Sequence, residues 1–274
     1  MNLPSIFEVT GSGSYCQGTD GLAVGLIGSE TGVKYTLFKN GIPQEPSVEG
    51  TGLAISFGNR LSGTYTVTGA NKAGITEMKG SAIITENPVP EAPVPGTITH
   101  PTCELSTGSV IINGLPEEGT WTLIRDPGNI STQGTGTTTT ISGLEPGTYS
   151  FKVINSSGCT SGPSSDVTIQ EPPPFPSIPA VSVNCSAGFG KAVVTVTSPV
   201  GDGLEYRLDN GVFQISPVFN LVANGNHTVT VRNSSGCSTA GPSFEISCGC
   251  ANPPALTLSS ITGSTCGTAI ITVT

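Results

Sequence analysis

Eight cysteines and two histidines are the residues of this 274-residue chain whose types and spacing could do chemistry. Four of the cysteines, Cys16, Cys103, Cys185 and Cys266, recur at nearly constant spacing. Cys159 and Cys237 each close an Asn-Ser-Ser-Gly-Cys run, and Cys248 and Cys250 form a Cys-Gly-Cys. Cysteines at repeat-locked positions read as disulfide partners in an oxidising compartment. A zinc site wants four ligands, and no histidine stands near the Cys-Gly-Cys in sequence. His100 and His227 fall in different repeats, and Asp20, Asp126, Asp202 and Asp209 lack the close spacing of a calcium loop. Gly-x-Gly fragments such as GSGSYC and GTGTTTT sit between strand-like runs and do not open helices, so they read as turns rather than phosphate cradles. The chain is expected to hold no catalytic residue, no metal and no cofactor.

The elements that position these cysteines are repeats. GTYSFKVINSSGCTSGP at 147–163 is matched by GNHTVTVRNSSGCSTAGP at 225–242 and more loosely by GTYTVTGANKAGIT at 63–76. A period this long is one small domain per repeat. The boundaries read as 5–86, 97–170 and 181–247, with the start of a fourth, truncated repeat at 254–274. Proline-rich stretches, ENPVPEAPVPG and EPPPFPSIPA, recur at the boundaries, and such linkers act as stiff spacers. Both ends read as cut from something longer, and MNLPSIFEVT lacks the charged and apolar regions of a signal peptide.

Composition narrows the class. With 37 glycines and 22 prolines among Val-, Ile- and Thr-rich runs, the chain reads as many short strands. No segment has a capped helical period, so the fold is expected to be all-β. The net charge is −9 with only 10 Lys plus Arg, and these are scattered. A nucleic-acid binder needs clustered cations, so that class is excluded. No apolar run approaches the length of a membrane-spanning helix, so no membrane insertion is expected.

Repeat two reads as TITHPTC, SVIING, GTWTLIRD, TTTTISGL, GTYSFKVIN and SDVTIQ, six or seven short strands of an immunoglobulin-like β-sandwich. Aligned repeats place Tyr35, Trp121 and Tyr206 at one position, each followed two residues later by leucine. Core packing is the expected role, ahead of a stacking platform for sugar. Tyr65 and Tyr149 fall where this fold carries a corner tyrosine, and His227 stands in their place in repeat three. The Asn-x-Ser/Thr sequons at Asn129, Asn155, Asn226 and Asn233 arise readily in so Ser/Thr-rich a chain, and those in Asn-Ser-Ser-Gly read as turn chemistry.

Two disulfide ladders are open. Within-repeat pairing would join Cys103 to Cys159 and Cys185 to Cys237. Staggered pairing would join Cys16 to Cys159 and Cys103 to Cys237. The front cysteines follow the first strand and the hairpin cysteines precede the last, at opposite ends of a sandwich. A strand of six residues spans about 20 Å, whereas disulfide Cα atoms lie within about 7 Å. Repeat one has Ile75 where a hairpin cysteine would stand, which orphans Cys16 under within-repeat pairing. Staggered pairing is therefore preferred. Cys185 is left to Cys248, to Cys250 or to the remainder of repeat four.

With these landmarks in place, the chain resembles the SprB-type repeats of Bacteroidota gliding-motility adhesins. The likeness is carried by CELSTGSVIING, GTWTLIRDPG and TTTISGLEPGTYSFKVINSSGCT. Repeat one departs by Ile75, and repeat three by Gly-Asn-His for Gly-Thr-Tyr. The resemblance implies type IX secretion and extracellular display on the cell surface. It also implies a place in a long filament that grips a substratum or surface polysaccharide. The filament would be coupled to the gliding and secretion machinery through regions outside this chain. Partners within the chain would be neighbouring repeats. A carbohydrate-binding or accessory module of a secreted protein, and a polymerising filament subunit, are the alternatives.

Overall fold

A computed structural model describes residues 2–187 and 190–249. The expected start of repeat four at 254–274, with Cys250 and Cys266, lies outside the described residues. Among the described residues there are 24 β-strands, one short 3-10 turn at Cys185–Ala187 and no α-helix. No helix is long and apolar enough to cross a membrane.

Repeat one comprises β1 (Val9–Thr10), β2 (Gly13–Cys16), β3 (Leu22–Leu26), β4 (Lys34–Lys39), β5 (Ile42–Glu49), β6 (Ile55–Arg60), β7 (Gly63–Asn71), β8 (Gly74–Glu77) and β9 (Ala82–Asn87). One sheet runs β1-β3-β6 and the other β2-β9-β7-β4-β5, with β8 on β7. The first strand thus changes sheets. β1 pairs antiparallel with β3, and after a break β2 runs parallel to β9. Gly11 makes that break at φ 113°, where any Cβ would collide with the Ala23 carbonyl oxygen. Between the sheets lie Tyr35, Leu37, Tyr65, Val67, Val24 and Ile84, each at most 3% exposed.

Repeat two comprises β10 (Val94–Thr99), β11 (Gly108–Asn113), β12 (Trp121–Asp126), β13 (Ile130–Gly134), β14 (Thr138–Leu144), β15 (Gly147–Ile154) and β16 (Val167–Ile169). Its sheets are β10-β11-β14 and β13-β12-β15-β16. The period-two alternation of β11, with Val110 and Ile112 buried and Ile111 out, seats one face on a core and one in water. β13 is absent from the six runs read in the sequence, because its residues are exposed or half-exposed throughout and show no alternation. β10 begins at Val94, inside the proline-rich stretch.

Repeat three comprises β17 (Ala180–Asn184), β18 (Lys191–Ser198), β19 (Leu204–Leu208), β20 (Val218–Ala223), β21 (Gly225–His227), β22 (Val229–Asn233), β23 (Ser238–Ala240) and β24 (Phe244–Ile246). Sheets β17-β18-β20 and β19-β22-β23 enclose Val194, Val196, Tyr206, Val231 and Ile246, and β21 pairs with β24. Two sheets of this strand order in each repeat are immunoglobulin-like β-sandwiches.

By packing, the described residues form two compact units. One holds residues 2–98, 109–142 and 148–168, and the other 99–108, 143–147 and 169–249. The division runs through repeat two rather than along a proline-rich linker.

Candidate functional site

The recurring chemical feature is the Asn-Ser-Ser-Gly-Cys hairpin and the bridge it makes. In repeat two, Asn155 N–H donates to Cys159 O and Gly158 N–H to Asn155 O, both at 3.0 Å. Gly158 closes the turn at φ 81°, a conformation that glycine adopts without strain. The Asn155 side chain orders the loop from within. Its Oδ1 accepts from Ser157 N at 3.1 Å and Cys159 N at 2.9 Å. Its Nδ2 donates to Pro88 O, 3.0 Å away in the linker before the repeat. Cys159 is fully buried and bonded to Cys16 at the end of β2, with a Cα–Cα distance of 5.5 Å.

The second joint repeats this geometry. Asn233 Oδ1 accepts from Ser235 N and Cys237 N at 3.1 and 3.0 Å, and Nδ2 donates to Pro174 O at 2.8 Å. Thr239 Oγ1 adds a bond to Pro176 O at 2.7 Å. Cys237 is bonded to Cys103, with Cα atoms 5.3 Å apart. Successive repeats are therefore joined twice, by a disulfide and by an asparagine amide on a proline carbonyl. The prolines suit this role because they lack an N–H yet keep an acceptor oxygen.

Repeat one retains the asparagine and not the cysteine. Asn71 Oδ1 accepts from Ala73 N at 2.8 Å and Nδ2 donates to Asn2 O at 2.9 Å, while Ile75 is 70% exposed. The asparagine bond to the linker was missed in the sequence. Its signal was there, an asparagine four residues before each hairpin cysteine and a proline stretch before each repeat.

A third bridge joins Cys185 to Cys248, with Cα atoms 5.3 Å apart. It lies inside repeat three and escapes the objection to within-repeat pairing because Cys248 follows the last strand. In repeat one the matching ends already touch, since Cys16 is in register with Asn87 where β2 runs beside β9.

The aromatic positions are core positions. Tyr35, Trp121 and Tyr206 are at most 2% exposed. Each has its polar end engaged. Tyr35 hydroxyl accepts from Glu30 N at 2.9 Å, Trp121 Nε1 donates to Gly136 O at 2.7 Å, and Tyr206 hydroxyl donates to Pro199 O at 3.1 Å. Burial raises the Tyr35 phenol above its ordinary value. Tyr65 hydroxyl donates to Leu61 O, four residues back, at 2.6 Å. Tyr149 is half-buried, with the Arg125 guanidinium 5.3 Å from its ring centre. His227 reaches the same four-residue-back carbonyl as Tyr65 does, with Nε2 2.9 Å from Ala223 O, while Nδ1 lies 2.8 Å from Asp209 Oδ2. That carboxylate raises the His227 pKa against the effect of partial burial, and the Ala223 carbonyl adds to the rise. Asp209 is pushed up by partial burial, but bonds from His227 and Thr228 N–H prevail and hold it low.

His100 Nδ1 accepts from Gln170 N at 3.3 Å. Among the described residues no three His, Cys, Asp or Glu side chains gather where they could hold a metal.

No protein-family description and no curated protein matches this sequence. Solved structures do align with it. Chicken CNTN1 FN1–FN3 domains share 14% identity over 89% of this chain and 98% of theirs, with a TM-score of 0.26. A marsupial T cell receptor shares 10% over 87% and 99%, with a TM-score of 0.39. The ICAM-5 D1–D4 ectodomain fragment shares 14% over 89% and 73%, with a TM-score of 0.35. At these scores the immunoglobulin-like assignment rests on the strand order described above, and the chain belongs to the broad class of tandem β-sandwich modules.

Proposed function

We propose that this chain is a structural and adhesive segment of a long bacterial surface filament, one that spans distance and carries load during surface adhesion and gliding. The observation that carries this reading is the pair of staggered bridges, Cys16–Cys159 and Cys103–Cys237, which tie each repeat covalently to the next. A bridge inside a domain strengthens that domain, whereas a bridge between domains limits how far the joint can open. Three disulfides favour an oxidising, extracellular setting. Likeness to SprB-type repeats supports export by type IX secretion and links the load to gliding. Buried aromatics with engaged polar ends leave little for a stacking platform, which favours the load-bearing role over a carbohydrate module.

The test is made in cells that display the protein. Serine at Cys16, Cys159, Cys103 and Cys237 should leave display intact and make cells detach at lower shear. Unchanged detachment with normal display would count against the reading.

A further inference from the structure

In repeats one and two, the strand carrying the core aromatic is covered on its outer edge. β5 pairs with β4 along its length, and Val33 O, two residues before Tyr35, accepts from Gly50 N at 2.8 Å. β13 covers β12, with Gly134 opposite Trp121. Repeat three departs from this. Only a bridge forms there, in which Tyr206 and Gln214 exchange backbone bonds of 2.8 and 2.9 Å. Beyond it the chain leaves the sheet, and Pro217 O accepts from Val196 N on β18. β19 is left as an edge strand.

Leu204 stands two residues before Tyr206, so its N–H and C=O point to the same outer side. Among the described residues no strand pairs with it there. A groove of about 410 Å³ opens at this point, lined by Leu204, Glu205, Ile215, Arg232 and Ser234. Its wall is apolar, since Ile215 is 80% exposed and the neighbouring Val212 86%. Its floor is the Glu205–Arg232 ion pair at 2.5 Å. Arg232 is held in place by the Phe213 ring, whose centre lies 4.0 Å from its guanidinium carbon.

We propose that this groove takes an extended segment of a partner polypeptide, added as a strand to the open end of β19. The sister repeats fill the same edge with their own strand, which defines the occupant's geometry. One residue of the partner would exchange N–H and C=O bonds with Leu204. Its apolar side chain would lie on Ile215, and a polar neighbour would fall beside Glu205 and Arg232. This site is separate from the bridged joints, so it stands or falls independently of the load-bearing reading.

The test uses the full chain with its bridges intact and a fluorescent synthetic peptide of the sequence of residues 128–136, which includes the strand that covers β12. Saturable binding is expected by anisotropy, together with slowed hydrogen exchange at the Leu204 amide. Leu204→Pro removes only the outward N–H, at the first residue of its strand where proline is tolerated. It should weaken binding about tenfold or more. Ile215→Ser, at an exposed position, should weaken it about threefold to tenfold with folding unaffected. No saturable binding up to about 1 mM peptide would overturn the proposal. So would binding that neither variant changes, or sedimentation showing the edge occupied by a second copy of this chain.

Discussion

At the scale of single residues, the asparagine of each hairpin does more than turn the chain. Asn155 and Asn233 each accept two backbone bonds and donate one to a linker proline. Alanine at either position would remove three bonds of roughly 0.5–1.5 kcal/mol each. Asn233→Ala is expected to cost about 2–3 kcal/mol, measured by denaturant unfolding with the disulfides intact. His227 supplies a pH dependence. Carbonyl and carboxylate oxygens both accept, so its two contacts require both ring nitrogens to donate, as only imidazolium does. Folding raises the His227 pKa above its ordinary 6.5, so its stabilisation is full below that value and lost as pH rises through the folded one. Folding lowers Asp209 below its ordinary 3.8, so its share is full above that value and lost as pH falls through the folded one. Repeat three should therefore be most stabilised by this pair between pH 3.8 and 6.5. Melting curves across pH should show this, and His227→Tyr should abolish the alkaline loss.

At the scale of elements, glycines opposite aromatics are as informative as the aromatics. Gly134 faces Trp121 in the β12–β13 register, and a Cβ there would lie 2.6 Å from Cζ2 of the indole. Valine is the better strand former in general. Gly134→Val is nonetheless expected to destabilise the protein by about 1–3 kcal/mol through overpacking, as read from the unfolding midpoint. The sheets were legible where one face is buried, because burial writes a period of two into β7, β11 and β18. They were not legible where both faces see solvent, as in β13, or where a strand changes sheets, as from β1 to β2. The joints were legible in part. Ile75 in place of a third hairpin cysteine favoured staggered pairs over within-repeat pairs. The Cys185–Cys248 bridge could not be chosen over Cys250, since only Gly249 separates the two cysteines and no pattern distinguishes them.

At the scale of the whole molecule, the bridges rewrite the covalent path. From Cys16 the path crosses to Cys159, follows the backbone to Cys185 and crosses again to Cys248. Its backbone portion is the segment from Cys159 to Cys185 alone, in place of the whole stretch from Cys16 to Cys248. At about 3.5 Å per residue, the limits of extension are about 90 Å and about 810 Å. Load carried this way passes through the last strand of repeat two, the proline linker and the first strand of repeat three. Most of the cores of repeats two and three lie off that path.

The measurement that tests this most directly is single-molecule extension of the chain held outside Cys16 and Cys248, first oxidised and then with thiol reductant. The account predicts that the oxidised chain between those residues stops at about 90 Å, and that reduction releases about 700 Å more. Full-length extension without reductant would contradict the bridged, load-sharing path.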